Sequence, residues 1–246
     1  MNRFFIDPQQ IKGDKVEFPA DIAHQIRHVL RLGEGDRVAV LNNSGSIFDV
    51  AIIVNADTSE VVGKIVSREM ATTEPLTRIA LCFGMTNRDK VELILQKGAE
   101  VGVSDFFPFV SSRTLVQSTD LTEKKTARWE AIIREAAEQS GRGRLPELHQ
   151  PARFDNCLAE VGNQFGLALI AWEESAVEGH GLHEVLDDED RGTIALFVGP
   201  EGGFSAEEIE LARLSGCKVG SLGARILRME TAAILFPALV LFALGE

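Results

Sequence analysis

Cysteine is scarce in this chain. The three present, Cys82, Cys157 and Cys217, are widely spaced, and no two form a Cys-x-x-Cys pair. An odd number at such spacing argues against a disulfide framework and for reduced thiols. Positive charge is also short: 25 Lys and Arg stand against 37 Asp and Glu, a formal net charge of −12. Nucleic-acid binding driven by bulk charge is thereby excluded. A local basic face is not, because phosphate contacts depend on where Lys and Arg cluster. Long apolar runs are missing too. The longest, Ala232 to Leu244, is interrupted by Pro237; it is too short to span a bilayer and reads as a buried helix. The opening "MNRFFIDPQQ" has no apolar core of the secretory kind. Together these predict a soluble, cytoplasmic protein.

Two motifs are absent as well. Neither G-x-x-x-x-G-K-[ST] nor G-x-G-x-x-G occurs, which removes the common phosphate and dinucleotide loops and, with the latter, a Rossmann oxidoreductase. His24 and His28 stand four apart without a third ligand, and His180 and His183 lie among glycines. No metal is expected from them, and no nucleophilic Cys or Ser constellation stands out.

What is present has the composition of a globular protein, 45% hydrophobic and 25% charged over 246 residues. The first 70 or so residues carry short β-branched or aromatic runs, "RFFI", "KVEF", "DRVAVLNN", "SIFDVAIIV" and "VVGKIVSRE". One helix, about Asp21 to Arg31, interrupts them, with Gly33 as its expected stop. Five strands and a helix in so short a span predict a small barrel, and "MATTEPL" reads as a linker. Beyond it, apolar strands ("RIALCFGM", "DFFPFV", "LALIAWEE", "TIALFVG", "KVGSLG") alternate with amphipathic helices. That alternation predicts an α/β domain with a mostly parallel sheet covered on both faces. The expected domains are 1–72 and 73–246.

The stretch "IALFVGPEGGFSAEEIELA" runs from a strand through glycines into a helix opened by the box Ser205-x-x-Glu208. Gly199, Gly202 and Gly203 permit close backbone approach and positive φ, and in parallel sheets ligands gather beyond the carboxyl ends of strands. Spacing alone leaves open a tight turn that binds nothing. If a ligand is held, Glu201 disfavours phosphates, and no lysine is expected nearby to compensate it. A neutral or cationic ligand fits better, such as a sulfonium-bearing cofactor. A second turn, "SLGARILRMETAAI", sets Leu222 and Gly223 at a strand end, before Arg225, Arg228 and the closing helix. Leu222, Ile226 and Leu227 are candidate apolar walls, or simply core.

These two stretches, with "RFF", "HVLRLGEGDRV", "QKGAEVGV", "SSRT" and "RWEAIIREAAEQSGRGRLPEL" in the same order, resemble the SPOUT-class RNA methyltransferases, specifically the bacterial 16S rRNA uridine-N3 methyltransferases. The likeness covers essentially the whole chain. It implies an N-terminal PUA-like β-barrel and a C-terminal SPOUT α/β domain with a trefoil knot within about 167–246. It also implies a homodimer, 16S rRNA of the small ribosomal subunit as substrate, and S-adenosyl-L-methionine as cofactor. The cofactor site then falls on Ala171 and Trp172, on Gly199, Pro200, Glu201, Gly202 and Gly203, and on Leu222, Gly223, Ile226 and Leu227. Trp172 stands where a smaller or flexible apolar residue is expected.

Methylating N3 of a uridine requires loss of a weakly acidic imide proton. Candidate catalytic residues are Glu201, Glu230 and Arg228. For Glu230 the alternative is a carboxylate stabilised at a helix N-terminus, and for Arg228 an ion pair with Glu230. A base within folded rRNA must be turned out of its stack, which requires a positive face. Residues 1–72 hold eight Lys and Arg against ten Asp and Glu, so the acid concentrates beyond them, as in "DDED" at 187–190. RNA-binding candidates are Arg3, Arg27, Arg31, Arg113, Arg142 and Arg144, each alternatively a solvated surface charge. Two other functions compete: a knotted methyltransferase acting elsewhere, such as on a ribose 2′-hydroxyl, and a non-catalytic RNA-binding or assembly protein.

Overall fold

The computed structural model describes residues 1–54, 60–173, 186 and 192–246. His180, His183 and the "DDED" run lie outside the described residues. The chain divides into two compact units, one of Met1–Glu74 with Ala137–Leu145, the other of Pro75–Ala136 with Pro146–Glu246.

The first unit is built on six strands: β1 (Arg3–Phe5), β2 (Ile11–Lys12), β3 (Lys15–Glu17), β4 (Arg37–Leu41), β5 (Ser46–Val54) and β6 (Val61–Met70). They form one sheet in the order β1-β4-β5-β6-β3-β2. β1 runs parallel to β4, and the other pairings are antiparallel. Alternate residues of β5, Ser46, Phe48, Val50 and Ile52, are buried, the period-two pattern of a strand with one face on the core. A register shift at Asp49/Val50 marks a bulge between β5 and β6.

The helix of this unit is shorter and less regular than its spacing predicts. An α-turn, α1 (Ala20–His24), passes into a π-helical turn, Gln25–Val29. It stops at Arg31 rather than Gly33. Arg31 takes a left-handed φ of 56°, and the Leu32 N–H reaches back to the Ile26 carbonyl at 2.9 Å, one residue further than the bond of a Schellman stop, as the wider π turn requires.

The segment 137–145, read from sequence as part of the second domain, is held within the first unit by Glu74. Arg142 is 3% exposed and donates to both oxygens of Glu74, from Nε at 3.0 and 3.2 Å and from Nη2 at 2.9 Å. The Gly143 and Arg144 N–H groups add bonds to the same carboxylate at 2.8 and 3.1 Å. Burial pushes the Glu74 pKa up, but Arg142 and these two N–H donors outweigh it and hold the pKa below the ordinary value. This corrects the expectation that Arg142 meets RNA, because its guanidinium is enclosed and already paired.

The second unit has seven strands and five helices among the described residues. In chain order they are β7 (Arg78–Gly84), α2 (Arg88–Val101), β8 (Asp105–Val110), α3 (Glu123–Ser140, whose last turn is counted with the first unit), β9 (Glu147–Leu148), β10 (Ala152–Arg153), α4 (Phe154–Gln164), β11 (Leu167–Ala171), β12 (Thr193–Val198), α5 (Ala206–Leu214), β13 (Lys218–Gly220) and α6 (Met229–Ala243). The sheet order is β10-β8-β7-β12-β11-β13, with β9 beside β8. Every pairing is parallel.

Successive residues of the central strands feed opposite cores, as a sheet covered on both faces requires. Ile79, Leu81, Phe83, Ile194 and Leu196 pack with residues of α2, α3 and α6. Ala80, Cys82, Ala195 and Phe197 pack with residues of α4 and α5. The three cysteines are free and buried in or against this second core. No helix among the described residues is long and apolar enough to cross a membrane.

Candidate active site

The parallel pairing sets the carboxyl ends of β11, β12 and β13 side by side. Ala171 pairs with Val198 and with Gly220, so the two glycine turns leave the sheet as neighbours. Between them lies a cavity of about 450 Å³ lined by Ala171, Trp172, the turn Gly199 to Gly203, and Leu222, Gly223, Ile226 and Leu227. The cofactor-site residues expected from sequence are thus brought together. Ile226 lines this space only at its edge, at 84% exposure.

The first turn is shaped by its glycines and by its neighbours. The Gly203 N–H closes on the Pro200 carbonyl at 2.8 Å, and Gly203 takes φ of +68°, a conformation that favours glycine. Gly84, at the end of β7, lies so close that a Cβ there would sit 2.6 Å from the Pro200 nitrogen. The Ser205 capping box is formed, with Glu208 N–H to Ser205 Oγ at 3.2 Å and Ser205 N–H to Glu208 Oε2 at 2.9 Å. Glu208 Oε1 also accepts the Ser112 N–H at 2.7 Å. Arg113 Nη1 donates to the Gly202 and Phe204 carbonyls at 3.2 and 3.1 Å. The structure therefore places Arg113 as a brace behind the turn.

The second turn is closed on itself by Ser221, whose hydroxyl accepts the Gly223 N–H at 3.1 Å and donates to the Gly223 carbonyl at 3.0 Å. Gly223 takes φ of +119°. The Trp172 N–H bonds the Gly220 carbonyl at 3.1 Å, and its ring lies 5.7 Å from the Arg213 guanidinium carbon. Arg228 caps α6 without a side-chain hydrogen bond to the helix. It is exposed and lines the cavity.

The charges contain a correction. Glu201 does have a compensating lysine, carried by α2 rather than by any nearby stretch. Lys90 Nζ is 3.2 Å from Glu201 Oε1 and 3.2 Å from Glu230 Oε2. The Thr86 hydroxyl donates to the same Glu201 oxygen. Burial pushes the Glu201 pKa up, and Thr86 and Lys90 more than reverse it, leaving it below the ordinary range. The Glu230 pKa is lowered first by its own backbone N–H and then by Lys90. Burial lowers the Lys90 pKa, yet the two carboxylates win and raise it. Glu230 Oε2 is buried and accepts no well-aligned hydrogen bond, although the lysine is within ion-pair reach.

Sequence reasoning missed Thr86 and Lys90. The signal was topological: β7 pairs with β12 so that Phe83 faces Val198, which sets the start of the next helix beside the glycine turn. Asn87 caps that helix by accepting the Lys90 N–H at 3.1 Å. Three of the RNA candidates, Arg31, Arg113 and Arg144, are exposed, and Arg3 and Arg27 are half-buried.

Comparison with known proteins gives this geometry a family. Residues 72–241 match the model of an RNA methyltransferase domain. The ribosomal RNA small subunit methyltransferase E of Bacillus subtilis is 32% identical over 95% of this chain and 93% of its own length. The chain belongs to the small subunit methyltransferase E family. A solved family member from Neisseria gonorrhoeae, bound to S-adenosyl methionine, superposes with a TM-score of 0.85 at 26% identity, covering 97% of this chain and 96% of that one. A methyltransferase from Legionella pneumophila, solved with the same cofactor, gives 0.84 at 29%, covering 98% and 97%.

Proposed function

We propose that this chain transfers a methyl group from S-adenosyl-L-methionine to N3 of a uridine in 16S rRNA of the small ribosomal subunit. The observation that carries the reading is the cavity between the two glycine turns, in a chain that matches cofactor-bound relatives over nearly its full length. Its lining suits the cofactor. Glycines at 199, 202, 203 and 223 put no side chain between the backbone and a ligand, and Leu222 and Leu227 offer apolar surface. Bound there, the cofactor supplies an electrophilic methyl on a sulfonium centre.

The protein's own work is then alignment and proton handling. Glu201 and Glu230, both held below the ordinary glutamate range, are ionised at neutral pH. Either can accept a hydrogen bond from the N3–H and take that proton as N3 is methylated. The exposed Arg228 guanidinium, at the cavity edge, stabilises negative charge as it develops on the imide. In this reading the first unit is a PUA-like barrel that binds RNA through Arg3, Arg27, Arg31 and Arg144, and the chain is knotted within about 167–246. The enzyme works as a homodimer. Leu235, Leu239 and Phe242 fall on one stripe of α6 and are 40%, 38% and 81% exposed, an apolar face suited to a second copy.

The test is methyl transfer from radiolabelled cofactor to small subunits and to naked 16S rRNA from cells lacking the gene, with product nucleosides identified by mass spectrometry. Label in 3-methyluridine is expected. Label in another nucleoside reassigns the target, and no label on either substrate refutes the reading.

A further inference from the structure

Three segments from distant parts of the sequence meet at one ammonium group. Lys90 sits in the first turn of α2, Glu201 in the first glycine turn, and Glu230 in the first turn of α6. Lys90 Nζ stands 3.2 Å from each carboxylate, and Thr86, just before α2, bonds Glu201 as well. The three charged side chains are 28%, 28% and 15% exposed, so solvent screens them only in part.

We infer that Lys90 is a positioning residue of the cavity: it ties the glutamate of the glycine turn to the glutamate of the closing helix and so fixes the spacing of the two walls. The inference rests on the reading of the cavity as the cofactor site. Without the ammonium, two carboxylates are left facing one another and repel. Arg113 and Thr86 hold the turn carrying Glu201 from other sides, but Gly202 and Gly203 within it resist torsion least of all residues, and none of those bonds spans to α6. The glutamate of α6 is fixed by its helix. The yielding wall is therefore the Pro200 to Gly203 turn, and a cavity shaped for a ligand loses its preformed geometry.

Lys90 acts through its partners, so its loss and theirs must not add. Calorimetric titration with S-adenosylmethionine and with its demethylated thioether product, S-adenosylhomocysteine, reads this directly on the full chain. Lys90→Met is expected to weaken both ligands by about tenfold at neutral pH, the scale of coupling between contacting residues. Lys90→Arg, which keeps the charge, is expected to recover most of the loss. Lys90→Met combined with Glu201→Gln is expected to bind no worse than Lys90→Met alone. Lys97→Met serves as the control, since Lys97 bonds Glu100 and not the cavity.

Affinities equal to the parent in Lys90→Met, or losses that simply add in the double variant, overturn the inference while the cofactor site stands. A parent chain that binds neither ligand removes the site itself, and the inference with it. Should Lys90→Met fail to fold, as judged by thermal melting, Glu201→Gln and Glu230→Gln decide. Each must weaken binding, and their combination must fall short of the product of the two effects; full additivity overturns the inference.

Discussion

At the scale of single residues, the structure separates charges that look alike in the sequence. Arg142 and Arg144 follow the same helix end, two residues apart, yet one is enclosed on Glu74 and the other is exposed. Nothing local to "SGRGRLP" distinguishes them, because the partner is 68 residues away. Arg142→Met leaves the Glu74 carboxylate without its cation; a loss of about 3 kcal/mol is expected in denaturant unfolding, the scale for breaking a buried pair from one side. The same pair sets an acid limit. The folded Glu74 pKa lies below the ordinary value of 4.5, so its contribution is complete above that pH and is lost as pH falls through the folded value. Melting temperature followed below pH 5 should therefore drop more steeply in the parent than in Glu74→Gln. Gly202 offers a third check. A Cβ there would lie 3.0 Å from Arg113 Cβ and 3.1 Å from its carbonyl oxygen, so Gly202→Val should abolish cofactor binding in a calorimetric titration. Retained binding removes the turn from the site.

At the scale of elements, periodicity located most strands and helices, and local chemistry located the best-defined boundary. Ser205 and Glu208 predicted the start of α5, and both capping bonds are present. Ser205→Ala should cost about 1 kcal/mol, the usual worth of such a cap, measurable by thermal unfolding. Where that chemistry is missing, so was the expectation. α4 begins at Phe154 with no side-chain cap from Arg153 and was missed for want of a start signal, although its buried Phe154, Cys157, Leu158 and Val161 stand at i, i+3, i+4 and i+7, the spacing of a helix. The π-helical turn at Gln25–Val29 was equally hidden, because a five-residue repeat over one turn leaves no pattern to read. The cavity residues on the two glycine turns were legible because glycine marks backbone that must approach closely. Lys90 was not, since only the pairing of β7 with β12 brings its helix to the turn.

At the scale of the whole molecule, the alternation of apolar strands and amphipathic helices was enough to predict a parallel sheet with two covered faces, which the opposed cores display. The excursion of 137–145 was beyond it, as sequence order carries no record of which unit a loop joins. The exposed stripe on α6 gives the proposed homodimer its test. Phe242→Glu should convert the sedimentation profile from dimer to monomer at micromolar concentration, whereas an unchanged profile assigns the stripe another role.

The two-part make-up of the first unit has a consequence for how the chain is born. Its sheet is complete by Met70, but Glu74 waits for a partner 68 residues further on. At about 5–20 residues per second of synthesis, the carboxylate spends roughly 3–14 s without its cation. During that interval the nascent first unit is held by its sheet and apolar core without the Glu74 lock, and the ribosome finishes much of the second unit's amino-terminal half before the first can lock.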